Sequence, residues 1–550
     1  MPAVSLSLSR LQSLLLALCL VLPLASRAQG PDPVAEAIRT RVEQLAAPGG
    51  AIPAQTRALA DFYRQRQFAP AWTQAATVDQ LLAALADTAS DGLDPEDFGL
   101  AQLQAQRAAL AGGQGTPEQR ARFDIAATDA CFAALVQLYR GKVDPVTLDP
   151  QWNFEARPLD PAQGLQAVVD AVGSGQITAL FARARPQNPL YDRLRTALAQ
   201  LREVAQRGGW PTLPDGPTLK PGMQDARVPL LRQRLVAGGY LAADEAAGEH
   251  YDATLESAVK HFQQDQYLAV DGSVGGSTRA ALNVPANRRV DQLRVNLERA
   301  RWLLFQAQGN FVVVDIAGYK VSYYRDGKPV WSSRVQVGKP YRSTPVFKSR
   351  ITYMTLNPTW TVPPTILKND ILPKVRANPG YLAASRIRVL DSQGQPVSPK
   401  SVNWNNPRGI VLRQDAGPGN SLGRLVIRFP NPFAVYLHDT PHQALFDASQ
   451  RDFSSGCIRV EHPRELAVLV LDDAAKWDRA ALDRAIDTGN TQTVNVANPV
   501  PLLLAYWTVE LHDDGRVGYR SDIYQRDGKL LAALDRRRTS PLQALQGTAP

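Results

Sequence analysis

Thr128, Phe132, Leu135 and Tyr139 recur at helical spacing, and residues 33–213 are rich in Ala, Leu and Gln throughout, which predicts a helical domain. Val228, Leu231 and Leu235, followed by Leu255, Val259 and Phe262, mark further short amphipathic helices between residues 226 and 284. A connecting helix is predicted near residues 290–305. The periodicity then changes. Residues 311–316 and 319–324 read as strands joined by a Gly-containing turn, more follow at 330–337 and 410–413, and the set predicts a β-rich domain ending near residue 490. Residues 500–531 add a hairpin turning at Asp513-Asp514-Gly515. Pro211, Pro214, Pro217 and Pro221, with Gly216 and Gly222, punctuate a linker between the first two units. Between strands, residues 357–404 form an insertion rich in Pro, Trp and Asn, and loops of that length usually carry function or structure of their own.

At 550 residues the chain should divide into three or four domains, because single cores rarely grow beyond roughly 250 residues. Arg10, an uncharged apolar run over residues 11–25 and Ser26-Arg27-Ala28 read as a secretory signal peptide covering residues 1–28. An uncleaved signal anchor is the competing reading. Leu18 is too large for the position before a lipid-modified Cys, so Cys19 is not read as an anchor. No later stretch reaches the ~20 apolar residues of a spanning helix, and no stable membrane span is expected after cleavage. The formal charge of +9 is spread along the chain without a dense block, which argues against nucleic acid binding. Beyond the signal only Cys131 and Cys457 remain. Cys131 lies in an apolar helical stripe and is expected to stay buried and reduced.

Cys457 is different. It follows Gly456 in Phe453-Ser454-Ser455-Gly456-Cys457-Ile458-Arg459-Val460, 19 residues after His438 in Tyr436-Leu437-His438-Asp439-Thr440-Pro441. A Cys after Gly at a tight turn exposes its sulfur, and a nearby His can take the thiol proton, although a lone Cys is more often a small buried hydrophobe. A strand through residues 434–437 would put Tyr436 and His438 on one side and Asp439 on the other, so the Asp439 side chain is a poor orienter for the imidazole. Papain-like peptidases place Cys before His; here His comes first. Arg459 has two readings: it holds a substrate carboxylate, or it pairs with Glu461 or Glu465. His442 and His462 read as surface residues, and His250 and His261 fall in the second unit. No metal-ligand spacing joins them, so neither metal nor cofactor is expected.

The stretch from His438 to Cys457 resembles the active-site signature of the L,D-transpeptidases, and Phe429-Pro430-Asn431, Val337-Gly338-Lys339, Arg342-Ser343-Thr344-Pro345 and Asn420-Ser421-Leu422-Gly423 extend the likeness to that family's large periplasmic branch. Ser455 stands where many members have a second His. Residues 226–284, with Gly239-Tyr240-Leu241 and Val270-Asp271-Gly272-Ser273, resemble a three-helix peptidoglycan-binding module, and Phe62-Tyr63, Pro70-Ala71-Trp72 and residues 139–145 resemble the branch's scaffold domain. The resemblance implies an α+β multi-domain chain: signal peptide 1–28, helical scaffold 29–222, peptidoglycan-binding module 223–285, connecting helix 286–309, catalytic domain 310–490 with capping insertion 357–404, and C-terminal hairpin and tail 491–550.

It further implies catalytic roles for Cys457, His438 and Gly456, a main-chain role for Asp439 in holding the imidazole, and substrate contacts from Tyr436, Arg459, Ser454 and Ser455. Amides around Gly456 and Cys457 would hold an oxyanion. The implied activity is periplasmic: a Cys thioester formed from a tetrapeptide stem of peptidoglycan, releasing D-Ala, is passed to an acceptor amine to give a 3-3 cross-link. Stem peptides, and other cell-wall synthesis enzymes, are the implied partners, and carbapenems the implied inhibitors. A cysteine L,D-carboxypeptidase and a non-catalytic wall-binding scaffold are the alternatives.

Overall fold

The computed structural model describes residues 32–45, 53–540 and 542. The expected signal peptide lies outside the described residues. In the first unit, helices Ala54–Gln65, Ala75–Asp87, Pro117–Arg140 and Ile177–Ala184 share a core containing Leu59, Phe62, Tyr63, Leu81, Phe132 and Phe181. The long helix begins sharply because Thr116 and Gln119 form a capping box and Pro117 occupies the first helical position. Tyr63 and Trp72 are packing residues: the Tyr63 hydroxyl and the amides of Ala71 and Trp72 donate to buried Asp124. Cys131, on the same helix, is fully buried.

Helices Val228–Ala237, Ala253–Asp265 and Gly276–Leu282 form the second unit around Leu231, Leu235, Leu255, Val259 and Phe262. The proline-rich stretch is more than a linker. Leu213 and Leu219 are buried in this core and Leu219 bridges Val274, so the stretch packs onto the unit it precedes. The expected connecting helix, Ala286–Leu303, is itself buried. Its Arg301 donates to the Asp91 carbonyl and the Tyr191 hydroxyl, and its Glu298 accepts the Val143 amide, which ties it to the first unit.

Thirteen strands follow: β1 Phe311–Asp315, β2 Lys320–Arg325, β3 Lys328–Gln336, β4 Phe347–Leu356, β5 Trp360–Thr361, β6 Ile387–Asp391, β7 Ile410–Gln414, β8 Leu425–Arg428, β9 Leu437–His438, β10 Ile458–Val460, β11 Gln492–Ala505, β12 Val509–Leu511 and β13 Val517–Tyr519. Eight of them close a barrel in the order β1-β11-β4-β8-β9-β10-β3-β2, which leaves no free sheet edge. The barrel runs on past the expected bound near residue 490, because β11 closes it between β1 and β4; a register shift between Asn495 and Val500, around Asn498-Pro499, interrupts the alternation of that strand. Residues 410–413 form the expected strand, β7, which pairs with β5 and β6 in a separate three-stranded sheet. The hairpin β12–β13 turns at Asp513-Asp514-Gly515 as expected.

That separate sheet makes the insertion a cap. The chain leaves the barrel at Asn357, which is buried with φ 44° and donates its side-chain amide to the Ile486 and Asn490 carbonyls. Trp360, Val362, Ile371, Val375, Leu382 and Leu412 then pack with Val426 of β8, and Tyr436 lies against the same cluster. The insertion therefore sits on the outer face of β8 and β9, and it extends past residue 404 to include β7.

Candidate active site

Strand register gathers the chemistry. β9 runs parallel to β10 with Leu437 opposite Ile458 and His438 opposite Arg459, and β3 places Gln336 opposite Arg459 on the other side. Leu437, Ile458, Val460 and Val335 fill the barrel interior. Alternation then puts Tyr436, His438, Cys457, Arg459 and Gln336 on the outer face, beside the cap. The Tyr436 and His438 ring centres lie 5.9 Å apart in an edge-to-face arrangement, and the guanidinium of Arg428, on β8, lies 4.7 Å from the Tyr436 ring centre.

His438 is buried, and its Nδ1 lies 2.6 Å from the Asp439 carbonyl oxygen. A carbonyl only accepts, so Nδ1 carries the proton and Nε2 keeps its lone pair. Burial, aided by the positive field of Arg459, pushes the imidazole down to about 3 despite opposing carbonyls at Asp439 and Leu422, so the ring is neutral at physiological pH. The Asp439 side chain points elsewhere, accepting from the Arg424 and Thr440 amides. Burial raises the Cys457 thiol, opposed by hydrogen bonding with Tyr436 and by the charges of Arg459 and Arg428. The resting pair is thus a thiol and a neutral imidazole.

The turn that presents Cys457 is held from within. Gly456 has φ 114°, which a side chain would strain. Ser454 is buried, donates to the Cys457 carbonyl at 2.6 Å and accepts the Gly456 amide at 3.1 Å, so it builds the turn and does not face substrate as expected. The expected oxyanion role of the Gly456 amide changes for the same reason, since that amide is taken. The Cys457 amide makes no hydrogen bond among the described residues. Ser455 is exposed, and its hydroxyl accepts from Arg342 at 2.8 Å; the same Arg342 nitrogen binds Asp370 of the cap at 2.6 Å. Asp370 lies in a π-helical stretch, Leu367–Ile371.

Arg459 does not pair with Glu461 or Glu465, which are occupied by Arg334 and Trp331 respectively. Its polar contact is Gln336 Oε1 at 3.1 Å, and its Nε is buried without a partner. A cation held beside Cys457 with no carboxylate of its own is available to an anionic ligand. His442, His462, His250 and His261 are exposed. Among the described residues no His, Cys, Asp and Glu side chains cluster closely enough to hold a metal ion.

Five contributors had no role assigned from the sequence. Thr344 is fully buried, accepts the Gly338 amide at 2.9 Å and donates to the Gly456 carbonyl at 2.9 Å. Tyr524, from the C-terminal region that showed no site in its sequence, donates to the Gly338 carbonyl at 2.6 Å and accepts the Thr344 amide at 3.1 Å. Gly338 must be Gly, because a Cβ there would run into the Arg342 carbonyl and the Thr344 amide. Arg428 and Gln336 reach the site only through strand register. The Arg342-Ser343-Thr344-Pro345 motif was the signal nearest to Thr344.

Residues 57–198 match a family model described as a scaffold domain, residues 224–282 one described as "Putative peptidoglycan binding domain", and residues 309–494 an L,D-transpeptidase catalytic domain. A curated relative from Haemophilus influenzae, described as "Putative L,D-transpeptidase", is 34% identical over 242 residues, covering 44% of this chain and 48% of the relative. The chain thus spans about half that relative's length. Among solved structures, an L,D-transpeptidase from Mycobacterium smegmatis is 16% identical, covering 36% of this chain and 58% of that chain at a TM-score of 0.17. The catalytic domain of an E. faecium L,D-transpeptidase acylated by ertapenem is 14% identical, covering 36% of this chain and 98% of that one at a TM-score of 0.18. Residues 309–494 are thus similar to an L,D-transpeptidase catalytic domain, behind regions that match a scaffold domain and a peptidoglycan binding domain.

Proposed function

We propose that this chain is a peptidoglycan L,D-transpeptidase that acts through a Cys457 thioester. The observation that carries the reading is His438: a neutral imidazole, fixed through Nδ1 on the Asp439 carbonyl, on the same outer face as Cys457. As the Cys457 sulfur attacks the stem carbonyl, its proton passes to His438 Nε2. The tetrahedral oxyanion is stabilised by the uncommitted Cys457 amide, a donor fixed in place before the reaction. The C–N bond then breaks, His438 returns the proton to the leaving amine, and D-Ala departs. An acceptor amine attacks the thioester, forming the 3-3 cross-link and regenerating the thiol. Arg459 holds the carboxylate of the leaving residue, which its missing anionic partner supports.

The cap gives transfer its advantage over hydrolysis. Its apolar cluster covers Val426 and Tyr436, and a thioester shielded from water survives until an amine arrives. The peptidoglycan binding domain would keep the enzyme at the wall, and the apolar N-terminal segment supports export to the periplasm. Incubating the enzyme with a tetrapeptide stem, with and without an acceptor amine, tests the activity by product mass. Cross-linked product that requires the acceptor is expected. Tripeptide alone, whatever the acceptor concentration, would instead mark a carboxypeptidase.

A further inference from the structure

Arg428 has no part in the chemistry above, yet its position is specific. Tyr353 of β4 is its register partner on one side, and the pairing of Ile427 with Leu437 sets it level with Tyr436 on the other. Ile458 pairs with Leu437, so Cys457 is level with Tyr436 too. Cys457, Tyr436 and Arg428 therefore form one row across three neighbouring strands, with Arg428 about 10 Å from the nucleophile at the usual strand spacing. His438 and Arg459 form the next row along the strands.

Arg428 is half-buried with its guanidinium on the Tyr436 ring, and among the described residues it makes neither an ion pair nor a hydrogen bond. Stacking on an aromatic face holds a guanidinium in place while its N–H edge stays free for a planar anion. Its charge reaches both the Cys457 thiol and the His438 imidazole.

The order of events decides what meets this cation. His438 must hand its proton to the leaving amine, so the leaving residue lies over the His438 row and its carboxylate lies by Arg459. The acylated residue then extends the other way, along the row of Tyr436. A side chain lying along that row would cross the Tyr436 ring and reach Arg428. Resting on the transpeptidase reading, we propose that Arg428 is a specificity-determining residue that binds a carboxylate at the end of the acylated residue's side chain. The donor read by this site carries two anionic groups, one on each side of the scissile bond.

The test uses two donor stems that differ only in whether that side chain ends in a carboxylate or a carboxamide, each assayed with the full chain and with Arg428→Gln and Arg428→Lys. Loss of one charge-assisted contact corresponds to roughly 10- to 100-fold in kcat/KM. The wild-type enzyme should favour the carboxylate donor by that factor. Arg428→Gln should erase the preference by lowering the carboxylate donor alone, and Arg428→Lys should restore part of it. Alkylation of Cys457 by iodoacetamide reports whether the turn that presents it is intact, and its rate should stay near wild type in Arg428→Lys, which keeps the charge beside the thiol. A preference that survives in Arg428→Gln, or an equal fall for both donors, would overturn the assignment and leave Arg428 as packing for Tyr436. Turnover of neither donor by the wild-type enzyme would fail the transpeptidase reading itself.

Discussion

Ser454 donates to the Cys457 carbonyl at 2.6 Å and accepts the Gly456 amide in return, so one buried hydroxyl closes the turn that carries the nucleophile. Ser454→Ala would leave that buried amide and carbonyl unpartnered, at a cost of about 1–3 kcal/mol. The expected result is a fall in kcat of roughly tenfold or more with little change in KM. Steady-state kinetics with a fixed donor check it; a rise in KM alone would mean that the hydroxyl touches substrate.

Alkylation of Cys457 should report a thiol, not a thiolate. Burial raises this group, and His438, pushed down to about 3, carries no positive charge to offset that effect near neutrality. The rate of iodoacetamide modification should climb steadily above pH 8, without the plateau between pH 5 and 7 that a preformed thiolate–imidazolium pair would give.

The same imidazole sets an acid limit on stability. His438 titrates lower in the fold than in the unfolded chain, so the unfolded state binds the extra proton; stability is complete above roughly pH 6.5 and falls as pH drops toward about 3. The slope approaches about 1.4 kcal/mol per pH unit. Denaturant unfolding of His438→Ala should show a flatter decline over this window than the wild-type protein.

Arg342 joins Asp370 of the cap to Ser455 of the nucleophile turn. Asp370→Ala removes the cap's half of that tie, and its effect should appear in partitioning more than in acylation. The ratio of hydrolysed tripeptide to cross-linked product is expected to rise several-fold, since the acyl-enzyme would be more open to water. An unchanged ratio would mean that the cap is held shut by its apolar contacts alone.

The two cysteines offer an internal control. A carbapenem should add one drug mass to the intact protein, mapping to Cys457. Cys131→Ser should leave the adduct in place while lowering stability by about 1–3 kcal/mol, because a hydroxyl would be buried without an assured partner among apolar neighbours. Burial also pushes the Cys131 thiol up to about 12, which makes it a poor nucleophile.

The proposed pair, Cys457 and His438, was legible in the sequence because it lies within one short stretch, where strand alternation already puts Tyr436 and His438 on one side. What surrounds the pair was not. Gln336, Arg428 and Tyr524 come from strands and loops far apart in the chain, and only barrel closure brings them to the turn. Ser454 was read as a substrate contact because it shares the motif of Cys457, whereas its hydroxyl is consumed by the backbone next to it. The helical units were visible from periodicity alone, but Leu213 and Leu219 were hidden among prolines that signal a linker.

The central claim is a covalent intermediate on Cys457, and intact-protein mass spectrometry after rapid mixing with a tetrapeptide stem, without acceptor, tests it most directly. The account predicts a mass increase equal to the tripeptide acyl group, mapping to Cys457, absent in Cys457→Ala and lost on adding an acceptor amine as cross-linked product appears. Turnover by Cys457→Ala, or an adduct on Cys131, would contradict it.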